Sequence, residues 1–139
     1  MIKAEDLRIG DLVRVNINDS IENGLIGKVT DIDSLREYKE KKGAITLNTI
    51  DDGWYWGVWC CNIEGIPLSP EILEKNGWKR DKLVPYIYGH EAHYIEVICT
   101  PNSEWVDVTF KGNTIRSIWY VHELQHILWA LGLDANLKI

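Results

Sequence analysis

The stretch AITLNTIDDGWYWGVW, residues 44–59, predicts a β-hairpin. Residues 44–50 are rich in apolar and β-branched side chains, which favour strands. Residues 51–53 (DDG) have the composition of a hairpin turn, and residues 54–59 are predicted to return as the second strand. This part of the chain is therefore predicted to be β-rich.

Two further strands are predicted upstream of the hairpin. Residues 12–17 (LVRVNI) alternate apolar and polar side chains, and residues 24–32 (GLIGKVTDI) contain two glycines that indicate a bend or bulge. The polar residues 36–42 are predicted to form an exposed loop or hairpin tip. The segments RIGDLVRV (residues 8–15) and GLIGKVTDI resemble small barrels of the Src-homology-3-like type, and the second is similar to half of a KOW element. The resemblance implies a small β-barrel over residues 1–64.

The chain downstream of residue 64 mixes helices and strands. Ser69 is a typical helix N-cap, Pro70 suits the first helical position, and Gly77 is expected to end the helix. A C-terminal helix is predicted over residues 121–131, with Gly132 as its stop. The intervening strands are predicted at residues 86–88, 94–100, 104–110 and 114–120, with a turn at residues 111–113.

The predicted fold class is therefore α+β. An N-terminal Src-homology-3-like small β-barrel is followed by a short helix, an antiparallel three- or four-stranded sheet and a C-terminal helix. We expect residues 1–64 and residues 65–139 to pack together as one compact unit.

A second resemblance extends over nearly the whole chain. The string GIPLSPEILEKNGW (residues 65–78), the terminal YVHELQHILWALG (residues 120–132) and the opening LRIGD (residues 7–11) resemble a group of small proteins encoded by phages and mobile elements of gut anaerobic bacteria. That resemblance implies an accessory role in a phage or mobile element, without an assigned activity.

Composition excludes several classes of protein. The 139 residues include 15 basic and 21 acidic side chains, and 45% are hydrophobic, which argues against global disorder and against a nucleic-acid binder that relies on bulk positive charge. No apolar run approaches the roughly 20 residues that span a bilayer, so we expect no membrane contact. The three cysteines form no CxxC pair, which favours free thiols in a reducing compartment. The predicted localisation is cytoplasmic.

The sequence HELQH, residues 122–126, matches the zinc-peptidase motif HExxH. In that alternative the protein is a zinc-dependent hydrolase in which His122 and His126 bind the metal, with His90 or His93 as third ligand, and Glu123 activates water. Only one carboxylate, Asp134, follows the motif. At about 100° per residue, both histidines of the helix lie opposite its apolar stripe. We therefore predict a solvated helix face and no cofactor.

The other two histidines, His90 and His93, lie three residues apart. In a continuous strand such a pair would point to opposite faces of the sheet. This spacing favours an incidental surface pair over a metal site.

The densest aromatic run is WYWGVW, residues 54–59. Trp54 and Trp56 share one face of an extended strand, and a bulge at Gly57 would bring Trp59 towards them. These rings are either an exposed platform that binds a ligand by stacking or part of the core. We expect the core role, because a chain of this length needs the apolar area.

Lys39, Lys41 and Lys42 form a local basic cluster, but Glu37 and Glu40 are interleaved with them. Contact with nucleic acid through this part of the barrel is therefore the weaker alternative.

The function that the sequence favours is that of a non-catalytic accessory or interaction protein. Its expected ligand is a protein partner or another copy of itself, and the sequence does not identify a small-molecule substrate.

Overall fold

The computed structural model describes residues 2–139, which form two compact units divided between Ile66 and Pro67. Both units are built on antiparallel sheets of five strands, and the second also contains the two α-helices. The α+β class predicted from the sequence is confirmed.

The first unit is a single sheet in which β1 to β4 lie next to each other in sequence order. The strand order is β4-β3-β2-β1-β5, so the fifth strand returns to pair with the first. A 3₁₀ turn at Cys60–Asn62 leads into that last strand. The strands are β1 Leu12–Val15, β2 Ile26–Tyr38, β3 Lys41–Thr49, β4 Tyr55–Trp59 and β5 Ile63–Gly65.

The predicted hairpin is confirmed and joins β3 to β4. The Thr49 backbone N–H donates to the Trp54 carbonyl at 2.9 Å, and Gly53 takes a φ of 71° in the turn. Positive φ is a conformation that glycine adopts without steric cost. The register then runs without interruption from Asn48 opposite Tyr55 to Ala44 opposite Trp59.

One face of this sheet forms the core of the first unit. Aliphatic side chains of β1, β2 and β3 are buried on this face, and each contributes about 1.5–3 kcal/mol when it is removed from water. They include Val13, Val15, Val29, Ile45 and Leu47.

Of the two alternatives for residues 36–42, the structure shows the exposed hairpin tip: β2 extends to Tyr38, β3 begins at Lys41, and Lys39 and Glu40 form the turn. One expectation for the first unit needs correction. The closed barrel is not observed, since no pairing joins β4 to β5 among residues 2–66. The strand β2 has 13 residues and two register shifts against β3, at 29/31 and 33/37, which sequence periodicity does not reveal.

The second unit contains a five-stranded sheet and both helices. The strand order is β10-β9-β8-β7-β6. The prediction of three or four strands missed β6, which is only three residues long and directly follows the first helix. The elements are α1 Pro70–Lys75, β6 Trp78–Arg80, β7 Ile87–His90, β8 Ile95–Ile98, β9 Val106–Phe110, β10 Asn113–Ile118 and α2 Val121–Ala130.

Both helices begin and end close to where the sequence predicts. The Ser69 hydroxyl accepts the Ile72 N–H at 3.4 Å, Pro70 is the first residue of α1, and Gly77 follows its end with a φ of 88°. The helix α2 ends just before Gly132, whose φ is 69°. These boundaries depend on local backbone chemistry, so single residues were sufficient to predict them.

Substitution of Gly77 by alanine tests the positive-φ ending of α1. A Cβ atom there would lie 3.0 Å from His90 Nε2 on a backbone that disfavours L side chains. We expect Gly77→Ala to lower the free energy of unfolding by about 1–2 kcal/mol in urea titrations. The control is Gly89→Ala, where a Cβ meets nothing within 4 Å and φ is not positive. Equal effects of the two substitutions would contradict this account.

Candidate functional site

The histidines of the HELQH helix do not lie on a solvated face. His122 is buried, with 5% of its surface exposed, and stacks on Tyr120 with ring centroids 5.7 Å apart. His126 is half-buried and meets His122 edge-on at 5.8 Å. The predicted solvated face is therefore wrong for His122.

The C-terminal segment of the chain contacts α2 at Gln125. Gln125 is buried, and its side-chain amide donates to the Ala135 carbonyl at 3.1 Å. Further along the segment, the Lys138 N–H donates to Asn76 Oδ1 at 2.7 Å, which ties this end of the chain to the end of α1. Helical periodicity alone cannot predict such cover, because the covering residues are not part of the helix.

The glutamate of the motif holds the start of α2. Glu123 Oε2 accepts the backbone N–H groups of Trp119 at 2.7 Å and Tyr120 at 3.0 Å. Arg116 Nη2 donates to Glu123 Oε1 at 3.2 Å. A carboxylate at the N-terminus of a helix stabilises it through these hydrogen bonds and through the helix dipole. Both oxygens of this carboxylate therefore have structural partners.

The other histidine pair is stacked. The rings of His90 and His93 are 4.3 Å apart and nearly parallel, and both contact the buried Trp78. The opposite-face geometry of a continuous strand does not apply, because β7 ends at His90 and the following turn reverses the chain before β8. Each Nδ1 accepts a backbone N–H, from Ala92 at 3.1 Å and from Ile95 at 3.2 Å. In the neutral rings the proton therefore lies on Nε2.

These arrangements bear on the zinc alternative. The structure brings His122 beside His126 and His90 beside His93. Across residues 2–139, no group of three or more His, Cys, Asp or Glu side chains is arranged to hold a metal ion.

A cavity of about 560 Å³ lies beside the stacked histidines in the second unit. Its floor includes Gly89, which stands between Lys79 and Glu96 across three strands. The Lys79 ammonium forms an ion pair with Glu91, and Lys111 lies 5.3 Å from the Tyr94 ring. The lining thus contains both basic and acidic side chains.

Two of the three cysteines, Cys60 and Cys99, lie in surroundings that disfavour the thiolate. Burial raises the pKa of the Cys99 thiol to about 11, and burial also raises the pKa of Cys60. The thiolate is the reactive form, so both side chains are protonated near neutral pH.

The aromatic run in the first unit is exposed, which corrects the expectation that it belongs to the core. Trp54 and Tyr55 each have 68% of their surface exposed, and Trp56 has 36%. Trp54, Trp56 and Val58 share one face of the strand, but only Val58 is buried. The position of these residues explains their exposure. β4 is an edge strand with a neighbour on one side only, and Trp54 and Tyr55 lie beside the turn that precedes it.

Trp59 lies on the opposite face of β4, together with Tyr55 and Gly57. The predicted bulge at Gly57 is absent, because the register with β3 is unbroken. Trp59 is therefore separated from Trp54 and Trp56. Its ring is half-buried, and the Arg36 guanidinium carbon lies 5.5 Å from the ring centroid.

The backbone of β4 is open on one side. The hydrogen bond from Thr49 N–H to the Trp54 carbonyl fixes which residues of β4 pair with β3. By the antiparallel alternation, the N–H and C=O groups of Tyr55, Gly57 and Trp59 point away from β3. Among residues 2–66, β4 pairs with β3 alone.

The lysines at the β2–β3 tip are exposed but not concentrated into a basic patch. Lys42 forms an ion pair with Glu37 at 3.6 Å, and Lys39 lies 5.4 Å from the Tyr38 ring. Lys41 is paired opposite Tyr38 in the strand register. The structure therefore adds no feature that favours nucleic acid at this tip.

No family model, curated protein or solved structure matches this chain. Within residues 2–139, none of the helices is long and apolar enough to cross a membrane.

Replacement of Glu123 separates its structural role from the catalytic alternative. Glu123→Ala removes the acceptor of two backbone N–H groups, so we expect the free energy of unfolding to fall by about 1–2 kcal/mol. The exposed Glu104→Ala removes the same charge from the same unit and serves as control. Unfolding in urea and elemental analysis of untagged protein are the measurements. Unchanged stability, with stoichiometric zinc bound to the wild type, would contradict the structural role.

The stacked histidines predict a pH-dependent stability. Burial, and the charge of His90, lower the pKa of His93 below its ordinary value of about 6.5. The unfolded chain therefore takes up a proton at higher pH than the folded chain does. This stability is complete above about pH 6.5 and is lost as the pH falls through the folded pKa.

The measurement is urea unfolding between about pH 8 and pH 5. His93→Asn keeps an acceptor near the position of Nδ1 but cannot titrate, so its stability should fall less on acidification than that of the wild type. His126→Asn is the histidine control. An identical pH dependence in the wild type and in His93→Asn would show that this pair is not responsible.

Proposed function

We propose that this protein is a non-catalytic interaction module that binds an extended segment of a protein partner along β4. The observation that supports the proposal is the exposure of Trp54, Tyr55 and Trp56 beside an unpaired strand edge. An accessory role in a phage or mobile element rests on the sequence resemblance and stays a prediction, as does a cytoplasmic location.

The composition of β4 supports strand addition. Edge strands are usually protected from pairing by charged side chains, prolines or bulges. Tyr55–Trp59 contains no charged residue and no proline, and its register with β3 has no bulge. An added strand would pair with the open N–H and C=O groups of Tyr55, Gly57 and Trp59.

The exposed rings supply a source of binding free energy. Tryptophan and tyrosine are enriched at the centres of protein interfaces, and each ring buries a large apolar area when it is covered. Covering a large apolar side chain contributes about 1.5–3 kcal/mol before the costs of association are counted. Trp54 and Trp56 lie on the same face, so one apolar side chain of a partner could contact both.

We also infer that the first unit is related in architecture to Src-homology-3-like barrels. A long β2 with two register shifts, a 3₁₀ turn before the last strand and the pairing of β5 with β1 all support this inference. In contrast to a closed barrel, the sheet is open, and β4 and β5 are its two outer strands.

Selection of peptides from a random displayed library tests the proposal without knowledge of the partner. The wild-type protein alone is the bait, and the double variant Trp54→Ala/Trp56→Ala is used only afterwards, to measure the affinity of the selected peptides. We expect the selected peptides to bind the double variant at least about tenfold more weakly, since two rings are lost. Trp129→Ala removes a tryptophan of similar exposure from the second unit and should leave binding unchanged.

Hydrogen exchange locates the bound peptide. The amides of Tyr55, Gly57 and Trp59 should become protected when a strand is added to β4. Sedimentation of the protein alone shows whether a second copy occupies the same edge. Selected peptides that protect other amides, or a selection that enriches nothing, would contradict the proposal.

A further inference from the structure

We propose that the face of β4 opposite Trp54 and Trp56 contains a subsite for an arginine or lysine side chain of the bound peptide. The inference rests on the proposed function and adds the chemistry of the partner: an extended segment in which basic and apolar residues alternate. The subsite is formed by Trp59, Gly57 and two aspartates of β2, Asp31 and Asp33.

The subsite is a small cavity of about 220 Å³ on the outer face of the first sheet. The strand register aligns its residues in two rows across three strands. Gly57, Thr46 and Asp31 form one row, and Trp59, Ala44 and Asp33 form the next. Small side chains therefore form the floor, and a Cβ atom added at Gly57 would meet nothing within 4 Å.

The aromatic wall of the subsite already accepts a cation. The guanidinium of Arg36, which also lines the cavity, lies over the Trp59 ring at 5.5 Å. Tryptophan is the aromatic side chain that attracts cations most strongly. The ring is therefore positioned for a planar or compact cation, and Arg36 is the internal occupant.

The acidic wall gives the subsite its charge preference. Asp31 and Asp33 are exposed on β2, and neither forms an ion pair or side-chain hydrogen bond within residues 2–139. Two carboxylates face one internal cation, so a negative charge remains. The whole chain also has a net charge of −6, which favours a basic partner.

The geometry of strand addition connects this subsite to the aromatic surface. Side chains of an added strand alternate between the two faces of the sheet. Every second residue of the peptide would thus lie on the face of Gly57 and Trp59, and the intervening residues on the face of Trp54 and Trp56. A peptide that alternates basic and apolar residues satisfies both faces in one register.

The Arg36→Ala variant distinguishes a subsite for basic side chains from a subsite for acidic side chains. If Arg36 is an internal competitor, Arg36→Ala should tighten the binding of a basic peptide by several fold. If Arg36 instead contacts a carboxylate of the partner, the same substitution would weaken binding of an acidic peptide. The sign of the change decides between the two roles.

The binding experiment uses fluorescein-labelled peptides and anisotropy. The first probe alternates arginine and valine, the second alternates glutamate and valine, and the third has the first composition with its arginines grouped at one end. We expect the first to bind the full-length protein at least about tenfold more tightly than the others. Its affinity should decrease as salt is added, because the carboxylates are exposed.

Charge-neutralising variants test the acidic wall. Asp31→Asn/Asp33→Asn should weaken binding of the arginine–valine peptide by about tenfold. Glu5→Gln/Asp19→Asn removes two charges from other parts of the first unit and should change it less than about twofold. Trp59→Leu should also weaken binding of the arginine–valine peptide by about tenfold. If Trp59→Leu fails to fold, the aspartate variant still tests the subsite.

The results separate this inference from the proposed function. Selected peptides that protect β4 amides but contain no alternating basic residues would overturn the subsite and leave strand addition intact. Equal loss of affinity in the two charge variants would show attraction to overall charge only, and would also overturn the subsite. If neither the arginine–valine peptide nor any selected peptide protects β4, both proposals fail.

Discussion

The register between β3 and β4 is the constraint on which the candidate site depends. The turn fixes it: Asp52 accepts the Trp54 N–H at 3.1 Å and the hydroxyl of Thr49 on the same oxygen. These hydrogen bonds, that of Thr49 first, lower the pKa of Asp52, because they favour the ionised carboxylate. A slip of one residue would turn Trp59 towards the core and Val58 towards solvent, because side chains alternate between faces.

The features predicted correctly from the sequence are those set by neighbouring residues. The start of α1 at Ser69 and Pro70, its end at Gly77 and the turn at residues 51–53 each depend on a few backbone conformations. The exposure of Trp54 and the burial of His122 depend instead on what lies across from them. Trp54 lies at a sheet edge. His122 lies on α2, and the neighbouring Gln125 donates a hydrogen bond to the C-terminal segment. A single sequence contains no local signal for either contact.

The HELQH segment illustrates how one residue pattern can have two physical origins. A zinc peptidase needs a glutamate free to act on water, whereas a helix start favours a glutamate at its third position. Here Glu123 bonds to Trp119, Tyr120 and Arg116. Helix capping therefore explains why an acidic residue stands at this position. Candidate metal motifs near a helix N-terminus need this comparison before a ligand set is assigned.

The two faces of β4 offer different chemistry, and the proposed strand ligand would contact both. Trp54 and Trp56 present apolar area, whereas Gly57 and Trp59 border a cavity with two carboxylates. A small molecule in that cavity would leave the tryptophans exposed, and an apolar surface placed on the tryptophans would leave the carboxylates unused. An extended peptide reaches both faces because its side chains alternate, and its backbone pairs with the open edge between them. The division of aromatic and acidic residues between the faces thus favours a strand as the ligand.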